Sequence, residues 1–136
     1  MTKKGTLLVV DDNRAILTAV KVLTESEFAV VDTITTPAAL PARLRELKPD
    51  VVLLDMNFRS GMNTGGEGLF WLGETRRQSP GTEVVLFTAY ADIDLAVKGI
   101  KDGAADFVVK PFDNRRLLDA LCAARDKHAP KGTTPS

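Results

Sequence analysis

Five short apolar runs that fail to alternate with polar residues set the strongest limit on this chain: 6–10, 28–33, 51–54, 84–87 and 106–109. A half-exposed strand shows a hydrophobic residue at every second position, whereas Leu7-Leu8-Val9-Val10 and Val51-Val52-Leu53-Leu54 are apolar throughout. Such strands are buried on both faces, the condition of a parallel sheet covered by helices on each side. The intervening segments carry the helical period. Their stripes are Ile16, Ala19, Val20 and Leu23; Leu40, Leu44 and Leu47; Leu69, Leu72 and Thr75; Ile93, Val97 and Ile100; and Leu117, Leu118 and Leu121. The reading is an α/β chain, strand then helix five times over, with those stripes facing the sheet.

At 136 residues the chain has room for one such domain, expected over 1–127. The tail 128–136 holds two prolines, a glycine and the sole histidine, His128, and reads as a flexible end or interdomain linker. Lys plus Arg (18) equals Asp plus Glu (18), which leaves no broad cationic footprint, so direct nucleic-acid binding is not expected. The first five residues are followed by too short an apolar run for a signal peptide or membrane span, and a cytoplasmic protein is expected. Cys122, between Leu121 and Ala123, suits a buried free thiol in a reducing compartment.

In open parallel sheets, ligands sit beyond the carboxyl ends of the strands. There the sequence places Asp11 and Asp12 after the first run, Asp55 after the third, Thr88 after the fourth and Lys110 after the fifth. Three carboxylates a few ångströms apart repel one another unless they share a cation. Oxygen ligands with no neighbouring His or Cys point to Mg²⁺, with Mn²⁺ as an alternative, rather than to zinc. A carboxylate attacking a phosphoryl donor needs its transferring oxygens neutralised, and the metal, the Lys110 ammonium and the Thr88 hydroxyl are suited to that. Taken singly, each residue has a plainer role. Asp11 could cap the following helix, Asp55 could end a strand, Thr88 could sit in a turn and Lys110 could be a solvated cation. Their joint order at strand ends is what argues for one site.

Leu8-Val9-Val10-Asp11-Asp12, Leu53-Leu54-Asp55, Phe87-Thr88-Ala89 and Val109-Lys110-Pro111-Phe112 together resemble the receiver domains of bacterial two-component response regulators, over about residues 6–125. The resemblance implies a flavodoxin-like, doubly wound sheet of five strands in the order 2-1-3-4-5 with five helices. It implies Asp55 as phosphoacceptor, and metal ligation by Asp12, by Asp11 through water and by the backbone carbonyl of Asn57. It also implies a cis bond before Pro111 and a switch in which Thr88 moves inward and the aromatic Phe107 rotates. Phe107 has core packing as its plain alternative, and Tyr90 either lines the mouth of the site or sits exposed. The implied partner is a histidine kinase. Phosphorylation would favour a partner or homodimer surface on the segments 93–101 and 106–109, where Asp92, Asp94, Lys98, Lys101 and Asp102 could equally be a solvated face. No enzymatic turnover beyond self-phosphorylation and slow dephosphorylation is expected.

The stretch 57–68 departs from the family pattern, being longer than usual, glycine-rich and without proline. Glycines there permit backbone angles closed to other residues, but no Gly-Lys-Ser/Thr follows, which excludes a P-loop. With Phe87-Thr88-Ala89-Tyr90-Ala91-Asp92 downstream, this arrangement resembles receivers of nitrogen-regulation-type enhancer-binding activators. Those carry ATPase and DNA-binding effector domains, so the chain reads either as an excised receiver ending in its linker or as a free-standing relative. Two rival readings remain at this level: a pseudo-receiver that uses the fold without phosphorylation, and a haloacid dehalogenase-type phosphatase. The second usually has an aspartate two residues after its nucleophile, where this chain has Asn57.

Overall fold

A computed structural model describes residues 3–56 and 66–127. Asn57, most of the glycine-rich stretch 57–68 and the tail with His128 lie outside the described residues. The strands are β1 (Thr6–Val10), β2 (Val30–Ile34), β3 (Val51–Asp55), β4 (Glu83–Ala89) and β5 (Asp106–Lys110). The helices are α1 (Arg14–Thr24), α2 (Leu40–Leu47), α3 (Gly66–Gln78), α4 (Ile93–Lys101) and α5 (Asn114–Lys127). All strand pairs are parallel, in the expected order β2-β1-β3-β4-β5.

Side chains of a strand point alternately to its two faces, so each unbroken apolar run feeds two cores. Leu7, Val9, Val51, Leu53, Val85 and Phe87 pack with Leu17 and Val20 of α1 and with Leu117 and Leu121 of α5. Their neighbours Leu8, Val10, Val52, Leu54, Val84 and Leu86 pack with Leu40 and Leu44 of α2 and Leu72 of α3. At about 1.5–3 kcal/mol for each fully buried large aliphatic side chain, these two layers are the main source of stability.

Four sequence-based expectations need correction. β2 begins at Val30 rather than at 28, because Phe28 is drawn into the α1/α5 core ahead of the ladder. In α1 Ala19 is exposed, and Leu17, Val20 and Thr24 turn inward. The α4 stripe is rotated: Ala96 and Gly99 are buried, while Val97 (43% exposed) and Ile100 (37%) face outward. A Cβ at Gly99 would collide with the Leu86 side chain, so this helix lies against β4 through its smallest residues. Cys122 is a free thiol but only half-buried; desolvation pushes its pKa above the ordinary value. Among the described residues no helix is long and apolar enough to cross a membrane.

Candidate functional site

The parallel register brings four strand ends to one edge. Asp55 ends β3 opposite Phe87 of β4, Thr88 pairs with Val109, and Lys110 of β5 pairs with Ala89. Asp11 follows β1 directly, and its backbone N–H extends the sheet pattern by donating to the Ile34 carbonyl at 3.2 Å. The result is an acidic cluster in which carboxylate oxygens of Asp11, Asp12 and Asp55 all lie within 4.8 Å of one another, the first and last fully buried.

Lys110 binds the cluster together. Its Nζ donates to Asp11 Oδ2 at 2.8 Å and to Asp55 Oδ1 at 3.0 Å. Three carboxylates against one ammonium leave a formal excess of two negative charges among these four residues, two of the carboxylates out of water. Burial of unbalanced charge is costly, and a divalent cation matches both the excess and the all-oxygen donor set. Asp11, Asp12 and Asp55 therefore fit a hard divalent ion. Asn57, the fourth ligand implied by the resemblance, lies outside the described residues.

Helix α1 starts beside the cluster, yet Asp11 is not its cap. Asn13 fills that position, its Oδ1 accepting from the N–H groups of Ala15 (2.9 Å) and Ile16 (3.2 Å). Asp11 Oδ1 instead accepts the Asn13 N–H at 2.8 Å, which fixes the carboxylate's direction and leaves Oδ2 turned to Lys110. Lys110 is followed by a cis peptide bond to Pro111, as the resemblance implied.

The switch candidates occupy different surroundings. Thr88 is fully buried at the end of β4, its hydroxyl lying 3.3 Å from the Ala89 carbonyl and 3.4 Å from that of Asp92, in the turn leading to α4. Phe107 is half-buried against the α2/α3/α4 layer, and its carbonyl accepts from Arg116 Nη2 at 2.8 Å. Tyr90 is 78% exposed, which favours the plainer of its two readings. Of the charged residues on and beside α4, Asp94, Lys98, Lys101 and Asp102 are exposed and Asp92 is half-buried.

Sequence reasoning missed one neighbour of the site. The Phe87 ring lies beneath Lys110, with Nζ 4.8 Å from its centroid, and Phe112 packs on the same ring at 5.6 Å and 55°. Phe87 was legible as a strand residue and within the Phe87-Thr88-Ala89 motif but not as a contact of Lys110, since the approach of Lys110 depends on where β5 delivers its last side chain.

Comparison with known proteins agrees with this geometry. The response regulator receiver domain model matches residues 7–122, a span holding Asp11, Asp12, Asp55, Thr88 and Lys110. Response regulator protein FleR of Pseudomonas aeruginosa is 40% identical over 118 residues, 85% of this chain but 23% of that relative. Chemotaxis protein CheY of Listeria monocytogenes is 34% identical over 116 residues, 85% of this chain and 93% of CheY. The crystal structure of the N-terminal signal receiver domain of a two-component system response regulator from Bacteroides fragilis is 57% identical, with a TM-score of 0.80 over 88% of this chain and 95% of that one. With the acidic cluster and its lysine at the matching strand ends, this chain belongs to the response regulator receiver domains of two-component signalling systems.

Proposed function

We propose that Asp55 accepts a phosphoryl group from a histidine kinase, and that the phosphorylated domain presents an altered α4–β5 surface to a partner or a second copy. The observation that carries this reading is the Lys110 ammonium, bonded at once to Asp11 and Asp55 inside a carboxylate cluster with excess negative charge. A carboxylate oxygen of Asp55 forms the new bond to phosphorus as the bond to the kinase histidine nitrogen, or to the acetate oxygen of acetyl phosphate, breaks. Lys110 and the Thr88 hydroxyl would meet the charge on the transferring oxygens.

Asp11, Asp12, Asp55 and the Asn57 carbonyl would hold the Mg²⁺ (or Mn²⁺) ion. When bound, it neutralises the phosphoryl oxygens and the excess charge of the cluster. Phosphorylation then offers the Thr88 hydroxyl a stronger acceptor than its long contacts to Ala89 and Asp92. Drawing it inward breaks the Thr88 contact with the Asp92 carbonyl at the head of α4, and Phe107 takes up the vacated space, a shift between two populated states. The switch serves signalling, not turnover of an external substrate. On this reading the receiver spans 1–127 and 128–136 is a tail or interdomain linker of a cytoplasmic protein; if the chain is an excised receiver of the enhancer-binding type, ATPase and DNA-binding domains beyond it would act on transcription.

Incubation with Mg²⁺ and acetyl phosphate, followed by intact-mass measurement, tests the assignment. Wild type should gain the mass of one phosphoryl group and Asp55→Asn none. A gain in both proteins would move the acceptor elsewhere, and a gain in neither would favour a receiver that signals without phosphate.

A further inference from the structure

We infer that Phe87 is a positioning residue for Lys110: its ring face holds the ammonium over the site when a divalent cation takes up the carboxylate oxygens. This rests on the phosphoacceptor reading of the same site. Among the described residues, the Lys110 ammonium meets Asp11, Asp55 and the Phe87 ring. Both carboxylates are also ligands of the proposed ion, and a divalent cation held among oxygens that lie within 4.8 Å of one another competes with the lysine for them. The ring is the one contact that the metal does not contest.

The ring itself cannot drift. Phe87 is fully buried in the α1/α5 core, and Phe112, two residues past Lys110, packs against it at a tilted 55°. Lysine carries four rotatable bonds, so an ammonium released from its carboxylates has many directions open to it. A fixed π face attracts the cation and removes most of those directions, leaving the ammonium beside Asp55 for the incoming phosphoryl group. The same stack links β4 and the start of the β5–α5 segment directly to the catalytic lysine.

The test replaces Phe87 in the full chain by mono-, di- and pentafluorinated phenylalanine, which strip the ring's negative face while nearly preserving its shape, alongside Phe87→Leu. Across the fluorinated series, phosphorylation by acetyl phosphate at saturating Mg²⁺ should slow stepwise, by roughly three- to tenfold at the pentafluoro end. Mg²⁺ affinity and thermal midpoint should stay near wild type. Proton NMR supplies a reading independent of phosphorylation. The Lys110 ε-methylene should be shifted upfield by the ring current with and without Mg²⁺, and should return to an ordinary lysine position in Phe87→Leu. A rate that is flat across the series, or that falls only in step with the thermal midpoint, overturns the proposal. An ε-methylene that loses its upfield shift on adding Mg²⁺ overturns it too. If wild type is not phosphorylated at Asp55, the phosphoacceptor reading fails on its own, and the NMR result alone decides whether the ring holds the lysine.

Discussion

The two ends of the sheet handle buried charge in opposite ways. At the carboxyl end, Asp11 and Asp55 are buried beside Asp12 with one lysine between them, so like charges face one another. At the amino end, Arg125 of α5 has a side chain only 9% exposed, and its guanidinium is matched on every side. It donates to the carbonyls of Glu27 (2.8 Å) and Lys4 (3.4 Å) and to Asp126 (2.9 Å), and it lies 5.0 Å from the Phe28 ring centroid. One end thus ties the N-terminal segment, the turn before β2 and the last turn of α5 together. The other holds charge that a cation and a phosphoryl group would complete. The contrast teaches that stability and chemistry are drawn from different ends of one fold, and that a substitution at either end should reveal which it serves.

Arg125→Ala should have the largest effect on stability. It leaves the Glu27 carbonyl without its guanidinium donor and removes the cation from Phe28, a loss of about 2–4 kcal/mol in urea unfolding. Acetyl phosphate labelling should continue at the wild-type rate under native conditions. A loss of labelling with unchanged stability would break the division between the two ends.

Asp55→Asn should act in the opposite sense. It keeps an oxygen for Lys110 while removing one of the repelling charges, so the metal-free variant should be more stable than wild type by about 1 kcal/mol. Because only the wild type offers the full set of carboxylates, added Mg²⁺ should stabilise it more and narrow the gap. Thermal unfolding with chelator and with Mg²⁺ measures both quantities. A variant less stable than wild type in chelator would mean that the Lys110 ion pairs outweigh the repulsion, and the carboxyl end would then be as self-sufficient as the Arg125 end.

The same contrast explains what could be read in advance. Asp11, Asp12, Asp55 and Lys110 were legible because each ends an apolar run, and parallel strands must deliver their ends to one edge. The two-layer fold was legible because unbroken runs such as Val51-Val52-Leu53-Leu54 have no exposed face. The rotation of α4 was not, since a hydrophobic stripe predicts the buried side only when side-chain size does not compete with it. Here Gly99 admits Leu86 so closely that Val97 and Ile100 are left facing outward. Asn13 as the cap of α1 was hidden by the acidic pair just before it. Arg125 gave no signal: apart from the adjacent Asp126, its partners are the Phe28 ring and backbone carbonyls at positions 4 and 27, brought near only by the closed fold.

The smallest expected effect concerns Asp126, the exposed half of the Arg125 pairing. The hydrogen bond from Arg125 holds its carboxyl below the ordinary value of 3.8, against an opposing contribution from partial burial. With its folded value depressed, the folded state binds fewer protons than the unfolded chain between the two values, so stability rises with pH across that window. The contribution is therefore fully present above the ordinary carboxylate range and is lost as pH falls through the folded value. Since Asp126 is about half exposed, solvent screening keeps it to a few tenths of a kcal/mol. Urea midpoints of wild type and Asp126→Asn should differ by a small constant amount near neutrality and converge below about pH 4. A gap that persists unchanged into acid would show that Asp126 acts through packing rather than charge, and that Arg125 is held chiefly by the backbone carbonyls around it.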